Sequence, residues 1–263
     1  MNKSIQYQQK KIHYRVVGKG NPVILLHGFG EDSSIWDYQV KHLQQKNKLI
    51  IPDLPGSGQS ALLAETNMET MAEVVNAIVE NEIHNAEKIK LIGHSMGGYI
   101  TLAFMEKYHT LVSGFGLFHS TAFADSEERK KARKKSIEFI QQHGAYEFLK
   151  TSIPNLFAEE NHTIKKEEIK KLIEQGHNFS VQALVSYYEA MINRPGRTMI
   201  LKNAKVPVLF VMGVYDNAAP VKDMLQQCYL PEKSYIHIFQ NAGHMSMLEE
   251  KEKSNRVIDN FIQ

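Results

Sequence analysis

The most informative segment of the chain is Leu91-Ile92-Gly93-His94-Ser95-Met96-Gly97-Gly98-Tyr99. It begins as an apolar strand, passes through the pattern G-x-S-x-G and continues into a helical pattern that starts at Met96. Such a turn holds the serine above the edge of a sheet, and the flanking glycines let neighbouring backbone come close. The helix adds positive potential at its N-terminus. We therefore interpret Ser95 as a nucleophile, against the alternative of a glycine-flanked turn that contains a serine incidentally.

A serine hydroxyl is a weak nucleophile, so Ser95 requires a base and a carboxylate that orients the base. Asp216 follows the apolar run Val208 to Met212, and His244 follows the next predicted strand directly after a glycine. Both side chains therefore come to the edge where parallel strands end. Two simpler interpretations compete: Asp216 could cap a helix that begins near Pro220, and His244 is one of 12 histidines. The positions just past strands favour Asp216 as the acid and His244 as the base.

A glycine-bearing loop follows another buried strand, in Leu25-Leu26-His27-Gly28-Phe29-Gly30. Backbone amides in such a loop, together with the amide after the nucleophile, can bind the negative oxygen of a tetrahedral intermediate. The sequence thus predicts an oxyanion hole formed by the N–H groups of Phe29 and Met96. His27 is interpreted as a structural residue that holds this loop by hydrogen bonds. An acid directly after the predicted strand Val112 to Phe118 would rival Asp216, but the next three residues, from His119, include none.

The rest of the chain alternates short apolar runs with longer helical patterns, which is typical of buried parallel strands joined by helices. The predicted strands are Ile12 to Val17, Val23 to Leu26, Leu49 to Ile51, Ile89 to Ile92, Val112 to Phe118, Val208 to Met212 and Tyr235 to Phe239. The predicted helices are Met68 to Ile83, Met96 to Tyr108, Val221 to Cys228 and Glu249 to Ile262. A parallel crossover needs more chain than the short turn after Val17 offers, so the first strand is expected to be an antiparallel edge. The fold class is α/β.

One interval, residues 121–202, departs from this alternation and reads as helical and rich in charge. Its predicted helices are Ser126 to Gln142, Tyr146 to Lys150, Lys165 to Gln175 and Val181 to Asn193. Helices inserted between two strands suggest a cap over the carboxyl edge of the sheet, where open α/β sheets bind ligands. The run Glu128 to Lys135 is basic, but the interval is nearly balanced in charge, so this run is interpreted as the solvated face of a helix.

The composition excludes several classes of protein. The chain has 263 residues with 31 Lys or Arg and 29 Asp or Glu, so its charge of +2 gives no general attraction to nucleic acid or an anionic membrane. The apolar runs are too short to span a bilayer, and the first residues lack the apolar core of a secretory signal. The single cysteine, Cys228, cannot form an intrachain disulfide, so we expect a cytoplasmic protein. No group of residues has structural-zinc spacing, and we expect no metal or other cofactor.

These motifs resemble the α/β-hydrolase superfamily, in the group with a helical cap between the sixth and seventh strands. The resemblance rests on Gly93 to Gly97, His27 to Gly30, Asp53-Leu54-Pro55-Gly56-Ser57-Gly58-Gln59-Ser60, Gly213 to Asp216 and Gly243-His244. It implies a mostly parallel central sheet with helices on both faces, a core of residues 1–120 and 203–263, and a cap of residues 121–202. The order Ser, Asp, His along the chain is also the order of that family.

The same resemblance disfavours the members with an aspartate nucleophile, the epoxide hydrolases and haloalkane dehalogenases, because this chain has Ser95. It implies a serine carboxylesterase that forms an acyl-enzyme, with a small-molecule ester and water as its substrates. Two alternatives stay open: a lactonase or C–C hydrolase with the same triad, and a non-catalytic ligand-binding protein on the same scaffold. The sequence gives no oligomeric state.

The acyl pocket is expected to be mostly apolar and covered by the cap. Its predicted lining residues are Phe123, Phe157, Tyr187, Tyr188, Met191 and Met245. The competing interpretation is that the cap residues among them form only the cap's own core, as apolar residues at helical spacing usually do. No basic cluster maps clearly to this edge apart from Arg194 and Arg197, so small to medium, mostly neutral acyl groups are expected.

Overall fold

The computed structural model describes residues 1–83 and 87–263. Within these residues, eight strands form one sheet in the order β1-β2-β4-β3-β5-β6-β7-β8. The strands are β1 (Asn2–Tyr7), β2 (Lys10–Val17), β3 (Asn21–Leu26), β4 (Asn47–Pro52), β5 (Ile89–His94), β6 (Val112–Phe118), β7 (Val208–Gly213) and β8 (Ser234–Phe239). Strand β2 pairs antiparallel with β1 and β4, and all pairs from β4 to β8 are parallel. The predicted α/β class is confirmed.

The amino-terminal hairpin differs from the prediction. The strand expected at the edge of the sheet is β2, and it lies between β1 and β4, so the edge is β1. Strand β1 was not predicted, because its residues alternate between exposed and half-buried positions and form no continuous apolar run. Such alternation is what a strand with one solvated face shows.

Helices cover the sheet and return the chain between parallel strands. They are α1 (Asp37–Leu43), α2 (Met68–Glu82), α3 (Met96–Tyr108), α4 (Glu127–His143), α5 (Ala145–Ser152), α6 (Lys166–Gln175), α7 (Val181–Asn193), α8 (Thr198–Lys202), α9 (Val221–Leu225), α10 (Ser246–Glu249) and α11 (Lys251–Ile262). No helix in the described part of the chain has the length and apolar character needed to cross a membrane. Helix α3 has its predicted bounds, whereas α1, α8 and α10 were not predicted.

The order of the strands places helices on both faces. From β3 the chain moves to β4 through α1, then returns past β3 to β5 through α2, so the two crossovers run in opposite directions across the sheet. Because such crossovers are right-handed, α1 and α2 lie on opposite faces. Helix α11 packs with α1, and α3 packs with α2. The carboxyl ends of β3 and β5, on either side of this reversal, are where an α/β sheet binds its ligand.

The segment 121–202, called the cap below, contributes α4 to α8 between β6 and β7. Hydrogen bonds fasten it over the carboxyl edge of the sheet. The Tyr187 hydroxyl donates to the carbonyl oxygen of Pro55 at 2.7 Å, and the His244 amide donates to the carbonyl oxygen of Leu156 at 2.7 Å. The cap therefore rests directly on the loop that carries His244. A division into core and cap at residues 120/121 and 202/203 stays a prediction.

Candidate active site

Ser95 lies in a strained turn between β5 and α3. Its backbone has φ +51° and ψ −115°, a conformation that a residue with a side chain holds only where its surroundings enforce it. A Cβ on Gly93 would collide with the carbonyl oxygen of Gly97, and a Cβ on Gly97 would lie 2.7 Å from the carbonyl oxygen of Leu26. The two glycines of the motif are therefore required for close passage of the backbone, as the sequence suggested.

Four neighbouring parallel strands bring polar side chains to the same edge. Strand β5 leads into Ser95 and β6 into His119, while the loops after β7 and β8 carry Asp216 and His244. The ring of His94, next to Ser95, lies 4.9 Å from the ring of His244 between centroids. These residues, far apart along the chain, thus lie at one edge of the sheet, and no hydrogen bond joins Ser95 to His244 within residues 1–83 and 87–263.

Asp216 and His244 form a buried hydrogen-bonded pair. The Nδ1 of His244 donates to Oδ2 of Asp216 at 2.8 Å. The other carboxylate oxygen, Oδ1, accepts from the amides of Ala218 and Ala219 at 2.8 and 2.7 Å. These amides fix the plane of the carboxylate, and the carboxylate in turn fixes the tautomer of His244 with Nε2 free to accept a proton.

Asp216 and His244 each shift the pKa of the other in the direction that favours the charged form. Burial alone would raise the pKa of Asp216, but the His244 charge and the hydrogen bonds from His119 and His244 hold it well below its usual range. Burial alone would lower the pKa of His244, but the Asp216 carboxylate, with Glu31 and Glu249, holds it above 6.5. The arrangement favours an ionised acid beside a histidine that accepts a proton readily.

The hydroxyl of Ser95 is not held by a hydrogen bond to another described residue. Within residues 1–83 and 87–263, neither Ser95 Oγ nor His244 Nε2 has a hydrogen-bond partner. A catalytic hydrogen bond often tightens only when substrate binds. The carbonyl oxygen of Ser95 accepts from the Ser120 hydroxyl at 2.7 Å, which anchors the turn from below.

The loop after β3 passes beside the nucleophile. A Cβ on Gly28 would lie 3.2 Å from Cβ of Ser95. The amide of Gly28 donates to Oε2 of Glu31 at 2.6 Å. The amides of Phe29 and Met96 donate to no group in the described part of the chain. The two amides predicted as oxyanion donors are thus unengaged near Ser95, although their catalytic role stays a prediction. His27 holds the loop by donating to the Gly28 carbonyl and accepting from the Leu54 amide.

His94 and Glu31 were not selected from the sequence, and they link the loop after β3 to the loop that carries His244. The Nδ1 of His94 faces Oε2 of Glu31 at 3.0 Å, and its Nε2 faces the carbonyl oxygen of His244 at 3.0 Å. Both partners offer acceptor oxygens, so the ring of His94 bridges Glu31 and the backbone of His244. Burial would raise the pKa of Glu31, but its interactions with His94, the Gly28 amide and His27 together lower that pKa.

His119 was also missed, because the position after β6 was considered only for a carboxylate. It is fully buried and places Nδ1 2.9 Å from Oδ2 of Asp216. His119, Asp216 and His244 offer ligand atoms within 4.8 Å of one another, a spacing that a metal ion could use. The same atoms are already matched as N–H donors and carboxylate acceptors at 2.8 to 2.9 Å, so hydrogen bonds account for the cluster. That no metal is required stays a prediction.

The aromatic residues of the predicted pocket meet Phe29 in part. Tyr188 stacks on Phe29 with 4.3 Å between ring centroids, and Tyr187 meets it edge-on at 6.2 Å. Phe148, which was not predicted, also meets Phe29 edge-on at 6.2 Å. Tyr187 is held by Ser57 and Pro55 through its hydroxyl, so it supports the lining rather than offering a polar contact.

The remaining predicted lining residues are placed less directly. The backbone of Phe157 packs on the loop before His244, where a Cβ on Gly243 would lie 2.9 Å from the Phe157 carbonyl carbon. The carbonyl oxygens of Phe123 and Met191 accept from the guanidinium of Arg194. Met191 and Met245 are buried. Contact of these side chains with an acyl group stays a prediction.

Comparisons with known proteins cover nearly the whole chain. The family model described as "alpha/beta hydrolase fold" matches residues 21–251. The chain is 23% identical to (E)-2-((N-methylformamido)methylene)succinate hydrolase of Acinetobacter baylyi, over 100% of this chain and 98% of that protein. It is 26% identical to the pimeloyl-acyl-carrier-protein methyl ester esterase of Legionella pneumophila, over 96% and 99%. Among solved structures, a thermophilic esterase from Thermogutta terrifontis with malate bound superposes with TM-score 0.91 at 28% identity, covering 99% of this chain and 97% of that one.

Proposed function

The chain belongs to the α/β-hydrolase family, and on that premise we propose that it is a serine hydrolase that cleaves carboxylic esters of small to medium, mostly neutral acyl groups. The observation that carries the proposal is the buried pair of Asp216 and His244, joined at 2.8 Å, at the sheet edge that also presents the strained Ser95. The relatives described above are hydrolases, and two of them are esterases, which supports the reaction class.

In this mechanism His244 removes the proton from Ser95, and Ser95 Oγ attacks the ester carbonyl carbon. The amides of Phe29 and Met96 bind the oxyanion, and the protonated His244 then gives its proton to the leaving alkoxide. A water molecule deprotonated by His244 hydrolyses the acyl-enzyme and restores Ser95. Throughout, Asp216 stays ionised and holds His244 in the tautomer that the proton transfers need.

The pH dependence follows from the pKa of His244. Only the neutral form of His244 accepts the Ser95 proton, so kcat/KM rises with pH as His244 loses its charge. Because Asp216 holds the pKa of His244 above 6.5, we expect the midpoint of the acid limb of kcat/KM above pH 6.5. A pH series with a non-ionising ester measures it, and a midpoint well below pH 6.5 would rule out His244 as the base in this environment.

The charges near the cap support a neutral acyl group. Arg197 is buried and pairs with Glu69 and Glu106, so it is not free for substrate. Arg194 is buried against the ring of Tyr99, with 3.8 Å between its guanidinium carbon and the ring centroid. It also pairs with Asp125 at 2.9 Å and donates to two carbonyl oxygens. The two arginines that could have favoured an anionic substrate are therefore engaged within the protein.

Arg133 is the remaining cation that could attract an anionic acyl group. It shares the single carboxylate of Asp125 with Arg194, so its charge is only partly balanced by that carboxylate. It also lies over the ring of Tyr188, the residue stacked on Phe29. We expect kcat/KM for p-nitrophenyl butyrate to exceed that for the mono-p-nitrophenyl ester of succinate. Across neutral acyl lengths, activity should change gradually, since each methylene contributes at most about 1 to 3 kcal/mol.

The control is Arg133→Gln, which removes the charge and keeps a polar side chain. If the wild type prefers the succinate ester and Arg133→Gln abolishes that preference, the pocket recognises a carboxylate and the neutral-acyl proposal is wrong. If neither ester nor a lactone panel is hydrolysed, while the protein binds the esters unchanged, the ligand-binding alternative replaces the enzyme.

A further inference from the structure

His119 is fixed from three sides at the end of β6. Its backbone has φ +51°, and its amide donates to the carbonyl oxygen of Val211 at 2.8 Å. Its Nδ1 lies 2.9 Å from Oδ2 of Asp216, and its Nε2 lies 2.7 Å from Oγ of Ser246. A strained backbone conformation with both ring nitrogens engaged indicates that the surroundings enforce the place of this ring.

The donors and acceptors determine which nitrogen of His119 carries the proton. Asp216 is ionised, so Nδ1 donates to it. Burial lowers the pKa of His119 to about 4, despite the Asp216 carboxylate, so the ring is neutral and Nε2 accepts from the Ser246 hydroxyl. Oδ2 of Asp216 thus receives two N–H groups, one from His119 and one from His244, and Oδ1 receives two backbone amides.

We propose that His119 is a positioning residue for the Asp216–His244 pair: it fills one lone pair of Oδ2, directs the other to His244 and moderates the pull of the carboxylate on the His244 proton. This inference rests on the proposed function, because it assigns a role within that site. Two donors on one oxygen weaken each other, so the carboxylate holds His244 less tightly than it would alone. The hydrogen bonds of the His119 ring go to Asp216 and Ser246, and none joins it to Ser95 in the described part of the chain.

The other titratable groups packed around His119 and His244 each have hydrogen-bond partners. The ring of His94 lies 6.1 Å from that of His119 between centroids, and its Nδ1 faces Glu31. The ring of His244 lies 5.6 Å away. The carboxylate of Glu249 accepts from the amides of Gly243, Met245 and Ala158. Among the titratable side chains described here, Asp216 is the one to which His119 is hydrogen-bonded.

Removing the N–H donor of His119 should raise the pKa of His244. Without it, Oδ2 of Asp216 becomes a stronger acceptor for His244, which stabilises the charged form of His244 and raises its pKa. By the usual strength of such cooperative effects, the rise is about 0.5 pH unit. The freed carboxylate also holds His244 less accurately, which lowers kcat by about tenfold, since small errors in orientation cost that much or more. KM should stay close to the wild-type value, because both ring nitrogens of His119 are engaged within the protein and the ring is fully buried.

Two matched variants separate this role from a structural one. His119→Phe keeps the ring volume and removes the donor, whereas His119→Asn offers a side-chain N–H near the place of Nδ1 and suits a positive φ. We expect His119→Phe to raise the pKa of His244, measured by NMR of ¹⁵N-labelled histidine, and to move the acid limb of kcat/KM to higher pH by the same amount. His119→Asn should restore both values to those of the wild type.

The NMR measurement needs no turnover, so it fails or succeeds independently of the esterase proposal. In the wild type, His119 should show a proton on Nδ1 and a bare Nε2 from about pH 5 to about pH 9. A bare Nδ1, or a charged His119 at neutral pH, would overturn the inference even if His119→Phe does not fold. So would a folded His119→Phe with a His244 pKa equal to or below that of the wild type.

Discussion

Replacement of Ser95 by alanine should lower kcat by about 10³-fold or more and leave the fold intact. The size of the effect follows from the loss of a covalent nucleophile, which the oxyanion amides cannot replace. The fold should persist because the Ser95 hydroxyl has no hydrogen-bond partner within residues 1–83 and 87–263, so its removal leaves no described group unpaired. Steady-state hydrolysis of a p-nitrophenyl ester measures the loss of kcat, and a thermal unfolding curve shows whether the fold is intact.

The matched control for this variant is Ser120→Ala. The Ser120 hydroxyl donates to the carbonyl oxygen of Ser95 at 2.7 Å, so its removal disturbs the same turn without removing the nucleophile. We expect Ser120→Ala to keep kcat within about tenfold of the wild type, because one neutral hydrogen bond contributes about 1 kcal/mol. Near-normal turnover in pure Ser95→Ala protein would show that another group attacks the substrate.

Asp216→Asn should lower kcat by about 10⁴-fold, the size of effect that the same exchange has in a serine protease triad. The reason in this chain is a mismatch of donors. All four groups around Asp216 donate, two backbone amides to Oδ1 and two histidines to Oδ2. An asparagine has one oxygen and one NH₂, so the NH₂ must face donors. With the oxygen on the amides, His244 turns to the tautomer with a proton on Nε2 and cannot accept from Ser95.

Asp125→Asn is the control for a buried carboxylate elsewhere. Asp125 pairs with Arg133 and Arg194 in the cap and has no contact with His244 among the described residues. This variant should unfold at a lower temperature, because it leaves the buried Arg194 and the half-buried Arg133 without their shared counter-charge, but kcat should stay within about tenfold. If Asp125→Asn is inactive and Asp216→Asn behaves as the wild type, the acid has been assigned to the wrong carboxylate.

Local patterns in the sequence predicted much of the fold. The bounds of α3 agree with the prediction because a strand, a G-x-S-x-G turn and an apolar helix follow one another without a break. Strand β1 was missed because its pairing with β2 depends on a hairpin and on one wet face, not on an apolar run. The helical character of the segment between β6 and β7 could also be predicted, because helical periodicity is a local property of the sequence.

The polar network around the site could not be predicted in the same way. His119 meets Asp216 across 97 positions and Ser246 across 127 positions, and no periodicity in the sequence indicates such partners. The contacts arise because β5, β6, β7 and β8 are neighbours and end at one edge. A histidine directly after a predicted central strand is the signal that could have drawn attention to His119, had a donor to Asp216 been considered as well as a rival acid.

Covalent labelling with a fluorophosphonate, followed by intact mass and peptide mapping, shows directly whether Ser95 is the nucleophile. We expect a single label per chain on the peptide that contains Ser95, loss of ester hydrolysis in proportion to labelling, and no label in Ser95→Ala. Ser120→Ala should label as the wild type does. A label on another residue, or hydrolysis that continues in fully labelled protein, would contradict the assignment of Ser95 as the nucleophile.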